Sequence, residues 1–89
     1  MGGRLFHKKG EVVEVVLNGT SFKSGELTFL SDFPHLTDLS LEKTSASDQD
    51  MAVVAKLPKL EWLNLYRTQV GDEGARPLSQ NKSLKLLPI

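Results

Sequence analysis

The segment from Pro34 to Thr44, PHLTDLSLEKT, returns 24 residues later as PKLEWLNLYRT, from Pro58 to Thr68. One proline, three leucines and one threonine recur at the same places, while the residues between them change. Self-similarity at a fixed period of this size means stacked copies of one supersecondary unit, none of which buries its apolar face alone. The frame extends one period back: Val12, Val15 and Leu17 stand where Leu36, Leu39 and Leu41 stand, and Thr20 where Thr44 stands. It extends one period forward, with Leu84, Leu87 and Ile89 on the places of Leu60, Leu63 and Leu65. The units are therefore 12–35, 36–59, 60–83 and a partial fourth, 84–89, preceded by a cap or hairpin segment over 1–11.

Each unit opens with apolar-x-x-apolar-x-apolar. Its last three positions alternate, as a strand with one buried face requires. Four short strands are expected, near 12–17, 36–41, 60–65 and 84–89. Connections of roughly 18 residues are long enough for crossovers, so the strands should run parallel.

The second half of each unit carries a helical stripe. In the middle unit Met51, Val54 and Leu57 are spaced by three, which places them on one helix face. Asp48 is the expected N-cap, with Ser47 as the competing cap. Ser24 and Asp72 are the matching caps in the first and third units. Leu27, Leu30 and Phe33 form the first stripe, Ala75 and Leu78 the third. Pro34 and Pro58 stop the first two helices. Phe22, Ala46 and Val70 align as inward plugs, and Thr20, Thr44 and Thr68 as hydroxyls that satisfy backbone groups where the chain leaves the sheet. The third unit departs from the frame. Pro77 falls within its helix, and Asn81 replaces an apolar residue, as an atypical terminal repeat would.

Ahead of the repeats, Lys8-Lys9-Gly10 suits a hairpin turn with Gly10 at positive φ. Leu5 and Phe6 would then cover the end of the array; a frayed terminus is the alternative.

Length and charge exclude several function classes. The chain has 89 residues, no cysteine, and eleven basic against eleven acidic side chains. Disulfides and thiolate metal sites are thereby excluded. No net positive field exists to hold nucleic acid or an acidic membrane. No apolar run reaches the ~20 residues a membrane helix needs, and none forms a signal-peptide core. A cytoplasmic location is the expectation.

The stretches LTDLSLEKTSASDQDMAVVAKL and LEWLNLYRTQVGDEGARPLSQN resemble leucine-rich repeats of 24 residues, with Thr after the strand and Asp at the helix start (Thr44 and Asp48, Thr68 and Asp72). The resemblance covers roughly Glu11 to Ile89. It departs in the first unit, where Val replaces two leucines and Ser24 replaces Asp. It implies an α/β fold: a right-handed β-α solenoid of about 3.5 repeats, four parallel strands on the concave face and helices on the convex face. It also implies a non-catalytic platform for binding a protein.

On such a face the residues between the buried leucines form three rows: Glu14, Asp38, Trp62, Leu86; Val16, Ser40, Asn64, Pro88; and Asn18, Glu42, Tyr66. Trp62 and Tyr66 are the chain's sole Trp and Tyr, and aromatics are favoured interface anchors. The expected partner-binding residues are Asp38, Ser40, Glu42, Trp62, Asn64 and Tyr66. A sugar or small molecule stacked on Trp62 and Tyr66 is the alternative. Another is self-assembly of a fragment of a longer array, through an open strand edge at Ile89. His7 and His35, the only histidines, share no metal or catalytic pattern. Asp48 and Asp50 read as helix-start carboxylates favoured by the helix dipole. No phosphate-loop or nucleophile motif occurs. No cofactor is expected.

Overall fold

The computed structural model describes residues 3–23 and 25–85. The chain forms a small α/β unit with one open four-stranded sheet in the order β1-β2-β3-β4. β1 is Arg4–Lys8, β2 Glu11–Val16, β3 Asp38–Ser40 and β4 Trp62–Asn64. Glu14, Asp38 and Trp62 pair side by side, as do Val15, Leu39 and Leu63. The 24-residue period is therefore the spacing of neighbouring strands.

The sheet differs from the expected one at its first strand. β2, β3 and β4 are parallel, but β1 is antiparallel to β2, so the sheet is mixed. The reason is local. Lys9 and Gly10 have φ of 54° and 80°, and two positive φ values in a two-residue loop turn the chain straight back on itself. The expected strand 84–89 lies mostly outside the described residues. Lys85, inside them, donates its backbone N–H to the Glu61 carbonyl (2.8 Å).

The helical half of each unit takes a different form. A 3₁₀ helix spans Glu26–Asp32. A 3₁₀ turn, Asp48–Asp50, runs into α1, Met51–Val54. The last is α2, Asp72–Leu78. Each presents its stripe to the sheet: Leu27, Leu30, Met51, Val54 and Leu78 are buried against Leu39, Leu63 and their neighbours in one core. Burying each such side chain is worth about 1.5–3 kcal/mol.

The caps also differ. Ser47, not Asp48, precedes the second helical segment, and Asp50 returns its carboxylate to the Ser47 backbone N–H (2.9 Å). Asp48 instead reaches across to the next unit and accepts from the Gly71 N–H (2.6 Å). Gly71 rather than Asp72 is the residue before α2. Ser24 lies outside the described residues. Pro77 sits at the penultimate position of α2, so the helix ends almost at once. Asn81 is a tie between units: its amide donates to the carbonyls of Ala55 and Leu57 (3.0 and 3.1 Å). Those carbonyls end the preceding helical segment, where partners are otherwise missing.

Leu5 and Phe6 lie in β1, which forms the hairpin and pairs along the edge of β2. They are 46% and 44% exposed, and being consecutive in a strand they face opposite sides of the sheet. Among the described residues no helix is long and apolar enough to cross a membrane.

Candidate interaction surface

Alternation along the strands sends Val15, Leu39 and Leu63 into the core and their neighbours to the open side. Residues directly opposite on paired strands share a face. The first row is thus Glu14–Asp38–Trp62 and the second Val16–Ser40–Asn64. The hairpin adds a member to each. Phe6 pairs with Glu14, and Arg4 with Val16, so the rows read Phe6–Glu14–Asp38–Trp62 and Arg4–Val16–Ser40–Asn64. Leu86 and Pro88 lie outside the described residues.

The third row leaves the sheet through turns. Gly19 donates its N–H to the Glu42 carbonyl and Lys43 its N–H to that of Tyr66, both at 2.9 Å. The hydroxyls of Thr20, Thr44 and Thr68 donate to the carbonyls three residues earlier, at Leu17, Leu41 and Leu65 (2.7, 2.6 and 2.8 Å). The residues before them, Gly19, Lys43 and Arg67, all have positive φ. A positive φ at the third of four turn residues is the mark of a type II turn. These turns hold Asn18, Glu42 and Tyr66 in line.

Of the six expected partner-binding residues, five remain half-buried or exposed. Ser40 does not: it is 4% exposed. Its hydroxyl donates to Asn18 Oδ1 (2.5 Å), which also accepts the Glu42 N–H (3.1 Å). The Asn64 amide approaches Ser40 Oγ (3.4 Å) and donates to Glu42 Oε1 (3.0 Å), while Asn64 Oδ1 accepts the Tyr66 N–H (2.9 Å). Ser40 is therefore part of an internal ladder that fixes the second and third rows to each other. A short side chain between two asparagines is covered by them, which strand alternation alone does not reveal. Tyr66 is 48% exposed, and the Arg67 guanidinium lies over its ring, 5.4 Å from the centroid. Trp62 and Asp38 are half-buried, and Asp38 accepts from the Thr37 hydroxyl (2.7 Å).

Reading the rows from the period alone misses Phe6, Arg4 and the pivotal role of Asn18. The hairpin signal at Lys8-Lys9-Gly10 points to β1, but the register has an irregularity between Phe6 and His7. Counting back from Lys8↔Glu11 without it would set Phe6 opposite Val13. The shift sets it opposite Glu14. Bulges re-aim side chains in this way.

Among the described residues the face carries carboxylates from Glu14, Asp38 and Glu42, with Arg4 in the second row and the Arg67 guanidinium over the Tyr66 ring. His35 Nε2 lies 3.9 Å from Glu11 Oε2, away from these rows. Among the described residues no three His, Asp or Glu side chains gather as a metal ion would require. In comparisons with known proteins, no family model matches this chain and no solved structure matches it.

Proposed function

We propose that the chain folds as a leucine-rich-repeat-like solenoid and that its strand face binds a protein, without catalysis. The solenoid reading is supported by the equivalence of residues 24 apart in strand pairing, in threonine-closed turns and in the positive-φ positions. The observation that carries the binding reading is the placement of the only Trp and only Tyr. Trp62 pairs beside Asp38 in the sheet, Tyr66 follows in the turn that leaves β4, next to the Glu42–Lys43 turn, and Tyr66 keeps nearly half of its surface open. Large aromatics left on a rigid face are the usual anchors of protein interfaces.

The test is the double variant Trp62→Ala/Tyr66→Ala. Neither side chain belongs to the buried core, so thermal unfolding should shift by only a few degrees. Capture of partner proteins by the purified domain should be lost. Retained capture would sink the reading, and a collapse of stability would assign both rings to the fold.

A further inference from the structure

We propose that the row Phe6–Glu14–Asp38–Trp62 receives a basic side chain, so that the partner of this face presents an extended segment carrying lysine or arginine. The proposal rests on the reading of the strand face as a protein-binding surface and names the chemistry it selects.

The contrast between neighbouring rows carries it. In the second row, polar groups are accounted for by the fold: Ser40 and Asn64 hydrogen-bond with Asn18, Glu42 and each other. In the first row the carboxylates have no cationic partner among the described residues. Glu14 and Asp38 are directly opposite on adjacent parallel strands, about 4.8 Å apart from strand to strand. Like charges in that arrangement repel and destabilise a sheet. Yet the ion pairs among the described residues are Glu11 with His35, Glu61 with Lys85 and Glu73 with Arg76. None reaches Glu14 or Asp38, and Arg4, on the same face, pairs with neither. Asp38 has the Thr37 hydroxyl as a donor (2.7 Å), but among the described residues no countercharge offsets the pair, and a local rule broken in this way marks functional positions.

The ends of the row point to the same ligand. Phe6 is 44% exposed and Trp62 half-buried, so two aromatic rings bracket two carboxylates. Ring faces attract cations, arginine above all. Tyr66 in the third row already carries the chain's own Arg67. Trp62 has no such occupant among the described residues. A guanidinium or ammonium group set over Asp38 would neutralise the repulsion and lie beside the Trp62 ring. The chain as a whole is neutral, with eleven acids and eleven bases. The selection would therefore be local to this face rather than a general attraction.

Trp62 is the only tryptophan, so its fluorescence reports on the row. Titration with hexaarginine or hexalysine should give a saturable change, and hexaglutamate none. Glu14→Gln/Asp38→Asn should weaken binding about tenfold or more, as loss of close charge pairs does. Glu26→Gln/Glu73→Gln removes the same charge from the helical side and should leave affinity within about twofold, since distant exposed charges are screened. An absent response to the cationic peptides, or equal weakening by both pairs, overturns the proposal. A peptide array separates the two readings. Peptides without basic residues that bind the parent and are lost with Trp62→Ala/Tyr66→Ala would overturn the basic-segment inference alone. If no peptide depends on those aromatics, both readings fall.

Discussion

The strand side and the helical side of this molecule follow the 24-residue period with unequal strictness. On the strand side, pairing register, turn hydroxyls and backbone sign repeat position by position, down to the positive φ shared by Gly19, Lys43 and Arg67. On the helical side three equivalent segments take three forms: a seven-residue 3₁₀ helix, a 3₁₀ turn leading into a short α-helix, and a seven-residue α-helix. The physical reason is the kind of bond each side depends on. A strand exchanges backbone hydrogen bonds with its neighbours, so each copy must reproduce the geometry of the last. A helical segment satisfies its own backbone and need only deliver a buried stripe, so several conformations serve.

The largest test of that difference lies in the strand core. Leu39 is fully buried between Val15 and Leu63. Leu39→Ala should cost about 2–5 kcal/mol, a large part of the roughly 4–13 kcal/mol available to a chain of this size. Val53, half-buried on α1, should lose under about 1 kcal/mol as Val53→Ala, since the helical segment can adjust and alanine suits it. Urea unfolding of both variants makes the comparison. Equal losses would show that the helical side is as strictly held as the sheet.

Gly74 marks a place where the helical side is packed tightly against its neighbour. It is buried in α2, and a Cβ there would lie 2.6 Å from Asp48 Oδ1, 2.9 Å from Asp48 Cα and 2.9 Å from Val70 Cγ1. Helix propensity favours Gly74→Ala by up to about 1 kcal/mol. The close approach opposes it by about 1–3 kcal/mol. One of the three atoms is backbone and cannot rotate away, so the clash should win and the variant should melt lower. A higher melting temperature would mean that α2 moves freely over the Asp48 turn.

The period itself was legible because leucine spacing records which side chains are buried. It placed Glu14, Asp38 and Trp62 in one row and Val16, Ser40 and Asn64 in the next, as the strand pairing has them. Three features were not legible. Phe6 entered the first row through a register shift that no residue type signals. Ser40 was expected on the surface, but Asn18 and Asn64 close over it, and coverage by neighbours depends on side-chain reach rather than on alternation. Asn81 looked like decay of the repeat, yet its amide ties off the carbonyls of Ala55 and Leu57. A polar residue in an apolar column can satisfy backbone at a helix end as well as weaken a core.

The smallest expected effect probes whether the turn positions are truly equivalent. Gly19, Lys43 and Arg67 occupy the same place in successive units with φ of 74°, 57° and 58°. A left-handed conformation costs a residue with a Cβ about 1–2 kcal/mol. Glycine is free of that cost but loses about 0.5–1 kcal/mol more backbone freedom on folding. Lys43→Gly should therefore stabilise by up to about 1 kcal/mol, and Gly19→Ala, at a site with open space around the added Cβ, should destabilise by a similar amount. Arg67→Gly should gain less than Lys43→Gly, because it also removes the guanidinium from the Tyr66 ring. Denaturant midpoints rank the three. A loss on Lys43→Gly would show that the lysine side chain holds the turn in a way its two counterparts do not.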